Sequence, residues 1–170
     1  MNALKKKTTT NNMTAIVDVQ WAVEGEHSPS ESDIQSWVEA TLAFNDIRNG
    51  SDAELTVRIV EEEEIAELNQ QYRQKQGGTN VLSFPVDEDL PLEVPLLGDL
   101  VICAAVVARE AKQQNKTLDA HWAHMVVHGT LHLLGYDHLE EDQAEVMEQK
   151  EISILQGLGF SNPYEVAANS

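Results

Sequence analysis

The sequence predicts one domain of mixed α and β class, with about four strands backed by about five helices. Three observations lead there. Segments with strand-like alternation and segments with helical spacing are interspersed along the chain. No internal repeat and no linker divides it. Its 170 residues, 42% of them hydrophobic, suffice for one domain with a real core. That domain is expected over 14–165, between a polar Thr/Asn-rich tail at 1–13 and a short tail at 166–170. Met13 is an alternative start.

AIVDVQWAV (15–23) alternates and reads as the first strand. After a loop from Glu24 to Ser32, either Ser32 or Asp33 can cap a helix over IQSWVEATLAFN. Its Ile34, Trp37, Val38 and Leu42 share one face. Asn49-Gly50 marks a turn. AELTVRIV (53–60) is the clearest strand: Leu55, Val57 and Ile59 face one way, Thr56, Arg58 and Val60 the other.

EEEEIAELNQQYR (61–73) is helical, and its glutamates form a solvated start at the positive end of the helix dipole. Gly77-Gly78 ends it. TNVLSFPV (79–86) is a third strand, with Pro85 marking its end or an edge position. DEDLPLEVP is an acidic, proline-rich loop. LGDLVIC (97–103) is a fourth strand and leads into a helix over AAVVAREAKQQN. A long helix from Leu118 to Leu134 holds most of the histidines. A last helix from Glu140 to Leu158 buries Met147, Ile154, Leu155 and Leu158.

Composition narrows the function. A net charge of −18 gives no global attraction for nucleic acid. Eleven residues are Lys or Arg, and Lys5, Lys6 and Lys7 lie in the tail, so an RNA partner requires local concentration of the rest. One cysteine, Cys103, excludes an intramolecular disulfide framework and fits a reducing compartment. No apolar run approaches the roughly 20 residues of a membrane span. The N-terminal stretch has no apolar signal-peptide core. The expected location is the cytoplasm, with no membrane partner.

The chemistry is carried by HGTLHLLGYDH (128–138). His121, His124, His128 and His132 fall on one stripe of a helix. Residues 124 and 132 are eight apart, about 12 Å along the axis at roughly 1.5 Å per residue, too far for one metal. One helix therefore supplies an i, i+4 pair. Gly135 favours 128/132: it can end the helix in a left-handed conformation and let the chain bring His138 to the pair. Three histidines leave a fourth position for water, the pattern of a catalytic zinc site. Such a water has its pKa lowered to about 7. His121 and His124 are read as structural or as orienting the ligands, and Asp137 as either an orienting partner or a turn residue.

Gly129 stands where a zinc protease carries its glutamate base. Peptide hydrolysis is therefore disfavoured. Phosphodiester cleavage suits the site better, because its transition state gathers charge that a metal and a cation can stabilise. Arg58, held mid-strand opposite the apolar set, is the candidate catalytic cation. Arg73 and Lys75 are candidate RNA contacts, as is the small basic stripe Arg109, Lys112 and Lys116.

HGTLHLLGYDH, together with TNVLSFP (79–85), LLGDLVIC (96–103) and AHWAHMVVHG (120–129), resembles the YbeY endoribonuclease family of bacterial rRNA maturation factors. The similarity covers roughly 53–165. It implies an α+β fold with a central mixed sheet and a metal site in a cleft beside the His-bearing helix. It further implies one zinc per chain on His128, His132 and His138, and a catalytic role for Arg58. The implied activity is single-strand-specific RNA cleavage in maturation of the 16S rRNA 3′ end and in ribosome quality control. Small-subunit ribosomal proteins and assembly GTPases are the implied partners, with no DNA. One departure is Gly78, where the family often has proline.

Two alternatives belong to other classes. One is a metallopeptidase-like hydrolase using a distant carboxylate. The other is a non-catalytic ribosome-assembly factor in which a fourth protein ligand closes the metal shell. Cys103 is the one thiol available for that, but its setting at a strand end before AAVVA reads as a small buried residue.

Overall fold

A computed structural model describes residues 15–23, 28–45, 53–86, 96–137 and 139–165. The expected tails at 1–13 and 166–170, the Asn49-Gly50 turn, the acidic loop and His138 lie outside the described residues.

Among the described residues, four strands and five helices follow in the order β1 (Ala15–Trp21), α1 (Glu31–Phe44), β2 (Ala53–Val60), α2 (Glu62–Arg73), β3 (Val81–Pro85), β4 (Leu96–Cys103), α3 (Ala104–Gln113), α4 (Leu118–Leu133) and α5 (Glu141–Gly157). The strands form one sheet in the order β1-β2-β4-β3. β1 runs parallel to β2 and β2 parallel to β4, whereas β3 is antiparallel to β4. The class is α+β with a mixed sheet, as the resemblance implies. Pro85 ends the edge strand β3, where a missing N–H disturbs the ladder least.

The alternation in β2 divides the core. Leu55, Val57 and Ile59 pack with Leu100 and Ile102 against α1, α4 and α5. On the opposite face Val60, Val101, Leu82 and Cys103 pack against Ile65 of α2. Cys103 is a buried free thiol, as its sequence setting suggests. Burying each large aliphatic side chain stabilises the fold by about 1.5–3 kcal/mol. Trp122 is fully buried in the first layer and anchors α4 there.

Several element ends differ from the sequence expectation. The cap of α1 is Ser30, not Ser32 or Asp33: the Asp33 N–H donates to Ser30 Oγ at 3.1 Å. Asp33 instead stands in the first turn, where its carboxylate favours the dipole. Strand β3 starts at Val81 rather than Thr79. The Asn80 side chain accepts from the Val81 N–H at 2.7 Å and donates to Glu110, while the Asn80 backbone carbonyl still accepts from the Cys103 N–H of β4.

Candidate metal centre and RNA cleft

Helix α4 starts at Thr117, whose side chain accepts from the Ala120 N–H. It ends as the glycine predicts. Gly135 adopts φ 104°. Its N–H donates to the His132 carbonyl at 3.0 Å, and the Tyr136 N–H donates to the Leu131 carbonyl at 3.1 Å. That paired reversal is a Schellman cap, and it closes the helix one turn after His132. Nothing lies within 4 Å of a Cβ built there, so the backbone conformation, not crowding, calls for glycine.

Gly129 is required for a different reason. A Cβ there would lie 2.8 Å from Leu100 Cδ2, and 3.3 Å from both Leu100 Cδ1 and Val81 Cγ2. The helix touches the sheet at this residue, and the Ser83 hydroxyl of β3 donates to the Gly129 carbonyl at 3.2 Å. The position that carries the base in a zinc protease is here a backbone contact between α4 and β3/β4. That contact also holds His128 and His132 at the edge of β3.

The rings of His128 and His132 lie edge to face, with centroids 4.7 Å apart. Behind them sits Glu151 of α5, fully buried. Its Oε2 lies 2.5 Å from His128 Nδ1 and its Oε1 lies 2.8 Å from His124 Nε2. The Tyr164 hydroxyl donates to the same Oε1. Burial pushes the Glu151 carboxyl up, but the hydrogen bonds to His124 and His128 outweigh it and bring its pKa to about 2. An ionised carboxylate at Nδ1 makes Nε2 the nitrogen through which His128 would face a metal. This is the carboxylate–histidine arrangement that fixes tautomer and ring orientation in metal sites.

The donors also allow a second grouping. Ligand atoms of His124, His128 and Glu151 all lie within 4.8 Å of one another, so these residues could hold a metal ion. His128 is common to both groupings.

His128 and His132 line a cavity of about 720 Å³ together with Arg73, Lys75, Asn80 and Asp137. Among the described residues neither Arg73 nor Lys75 forms an ion pair, whereas Arg109 is held by Glu62 at 3.1 Å. Among the described residues lining the cavity, Asp137 is the one carboxylate. In a chain of charge −18, Arg73 and Lys75 are thus two cations on the cavity that the histidines line.

Arg58 lies elsewhere. It faces away from the histidine layer and lines a separate groove of about 490 Å³ with Thr56, Glu64 and Asp99. Glu64 grips it with two bonds, 2.7 and 3.1 Å. Lys116 lines a third cavity beside His121 and His124. Arg109 and Lys112 are not among the residues lining the histidine cavity.

Sequence reasoning missed Glu151 and Tyr164. Glu151 did leave a signal. It falls between Met147 and Ile154 on the buried side of α5, a carboxylate within an apolar stripe. Tyr164 left none, because its contact joins two segments only in the folded chain.

His121 and His124 are both buried beside carboxylates. The His121 Nε2–Glu110 Oε1 distance is 2.8 Å. Burial pushes the His121 pKa down, opposed by the hydrogen bond to Glu110, and the net direction is down; His124 shifts the same way. Both are therefore neutral rings rather than ion-pair cations. The unfolded chain, with histidine near 6.5, takes up these protons first. Stability is then fully present above about pH 6.5 and declines as pH falls below it. Thermal unfolding should show a lower Tm at pH 5 than at pH 7, with a shallower slope in His121→Gln. A Tm that rises on acidification would contradict the neutral assignment.

Residues 16–159 match the family model described as endoribonuclease YbeY. The fold is similar to the solution structure of TM1509 from Thermotoga maritima. The TM-score is 0.56 at 24% identity, over 91% of this chain and 99% of that one.

Proposed function

The chain belongs to the YbeY endoribonuclease family, and from that premise we propose that it is a zinc-dependent, single-strand-specific endoribonuclease that matures the 3′ end of 16S rRNA. On this reading it works in the cytoplasm, with small-subunit proteins and assembly GTPases as partners and a part in ribosome quality control. No described helix is long and apolar enough to cross a membrane. The observation that carries the reading is the shared cavity: His128 and His132 open onto the same space as Arg73 and Lys75.

In this reading His128, His132 and His138 hold one zinc ion. His128 suits this role, because Glu151 takes its Nδ1 and so selects Nε2 for the metal side. When bound, the metal supplies Lewis-acid stabilisation and an activated oxygen nucleophile near neutral pH. The protein's own residues do the rest. Arg73 and Lys75 bind phosphates flanking the scissile bond and offset the negative charge that grows on the phosphoryl oxygens. Asp137 orients a ligand or accepts a proton at the cavity wall. Arg58 is retained as a catalytic candidate on resemblance alone, and it would reach RNA only if Glu64 released it. The expected basic stripe is broken, because α3 ends at Gln113 and Lys116 lies past the left-handed Asn115; Arg109, Lys112 and Lys116 remain proposed outer contacts singly.

A second reading is favoured by the burial of His124 and Glu151. A metal held by His124, His128 and Glu151 would be enclosed by protein, which suits a structural site in an assembly factor. One experiment separates the two. Wild type and His132→Ala are purified identically, metal content is measured, and each is given single-stranded RNA ending in the 16S precursor 3′ sequence. The ribonuclease reading expects cleavage by wild type alone and metal lost from the variant. Metal retained in His132→Ala, with no cleavage by either protein, would favour the structural site. Equal cleavage by both would mean a contaminating nuclease.

A further inference from the structure

We propose that the segment 74–80 is the substrate-holding arm of the cleft, and that Asn69 is the positioning residue that fixes it. The inference rests on the reading of Arg73 and Lys75 as RNA contacts and deepens it.

Helix α2 carries an anomaly. This helix is short and charged, and its buried residues are Ile65 and Asn69. They are four apart, so they share the stripe that packs on the sheet. An aliphatic residue would be the ordinary choice at 69. Burying an amide there is unfavourable unless it is hydrogen-bonded. Asn69 is 5% exposed, and its Nδ2 donates to the Gly77 carbonyl at 3.0 Å. Its backbone carbonyl accepts from the Lys75 N–H at 3.3 Å. Both bonds reach the segment that follows the helix.

That segment needs holding. Gln74 sits at φ 58° and Gly77 at φ 85°, so the chain turns twice within four residues. Lys75 lies between the turns, and Arg73 immediately precedes them. The far end is tied as well. Asn80 Nδ2 donates to Glu110 at 3.0 Å, and the Asn80 carbonyl accepts from the Cys103 N–H at 2.9 Å. The arm is thus anchored to α2 at one end and to α3 and β4 at the other. Its cations are presented to the histidine cavity from a fixed backbone. Preorganised cations lose less entropy on gripping a phosphate than mobile ones do.

The test is Asn69→Leu in the full chain, with Asn69→Ser as a second variant. Leucine suits the apolar stripe, so the fold is kept while the side-chain bond to the Gly77 carbonyl is lost and the backbone bond from Lys75 remains. The expected result for Asn69→Leu is a KM for single-stranded RNA raised about tenfold, kcat within about twofold, and unchanged metal content. Lys75→Ala should raise KM in the wild-type background but add little to Asn69→Leu, because the lysine is already misplaced. Amide exchange of residues 75–78 should accelerate in both variants. Additive KM effects, or a kcat loss together with metal loss, would overturn the proposal. Unchanged exchange would overturn the pinning whatever the activity. If wild type neither binds nor cleaves RNA, the ribonuclease reading fails and the substrate role of the arm fails with it. The exchange measurement still decides whether Asn69 pins the segment.

Discussion

Glu151→Ala is expected to lower stability by about 3–5 kcal/mol and to weaken metal binding about 10–100-fold without abolishing it. The stability loss follows from burial. Glu151 is 0% exposed, and both carboxylate oxygens are engaged, by His124 and Tyr164 on one side and His128 on the other. Truncation removes the partner of the buried His124 and of the part-exposed His128 and Tyr164, and leaves a void on the buried side of α5. The metal effect follows from orientation. His128 remains, but nothing selects its tautomer or holds its ring. Glu151→Gln should fall between, since an amide can accept from one histidine but must present N–H to the other. Denaturant unfolding of the metal-free protein measures the first effect and a competitive metal titration the second. Complete loss of metal from Glu151→Gln, with the fold intact, would make Glu151 a ligand. It would move the site to the His124, His128 and Glu151 grouping.

What could be read from the sequence divides along a physical line. The His128/His132 pair and its helix end were legible because both depend on neighbours within one turn. The i, i+4 step puts the rings together, and a glycine three residues on permits the left-handed reversal seen at Gly135. The sheet was legible because period-two alternation in β2 sorts Leu55, Val57 and Ile59 from Arg58. The cap of α1 was misplaced by two or three residues because Ser30, Ser32 and Asp33 are all competent acceptors, and the entry angle of the chain decides among them.

The assignment of cations to the cleft was not legible. Arg58 stands out as a charge within a strand and reads as the catalytic cation, while Arg73 and Lys75 read as candidate RNA contacts with no signal to set them above the Arg109, Lys112 and Lys116 group. Only the crossover that carries the chain from β2 through α2 to β3 shows the difference. It leaves Arg58 clasped by Glu64 on the far face and delivers Arg73 and Lys75 to the histidines. Charges that meet through tertiary structure have no fixed sequence spacing. Glu151, 23 residues from His128, is hidden from motif reading for the same reason.

Gly129→Glu, which would restore the protease-like residue pattern, is expected to destabilise the protein by several kcal/mol rather than create a peptidase. Two unfavourable terms combine. The new Cβ would lie 2.8 Å from Leu100 Cδ2, and Leu100 is fully buried in β4 between β2 and β3. Leu100 must repack within the core or α4 must lift from the sheet, an overpacking that typically costs about 1–3 kcal/mol. The carboxylate would then have to enter the apolar layer between α4 and β4, with a desolvation penalty of several kcal/mol more. Against this stands only the helix-propensity gain over glycine, about 0.5–1 kcal/mol. Gly129→Ala isolates the steric part: the same propensity gain set against a methyl-sized overlap leaves a net loss of about 0–2 kcal/mol. Denaturant midpoints should therefore rank wild type, then Gly129→Ala, then Gly129→Glu, with the last near or below the threshold of folding. A Gly129→Glu protein as stable as wild type would show that α4 can move off β4 freely. In the expected case, the constraint explains why the ligand pair occurs without the neighbouring base. The residue after His128 is committed to the packing that holds the pair in place, so on the proposed ribonuclease reading proton transfer and charge neutralisation have to come from the wall of the cleft.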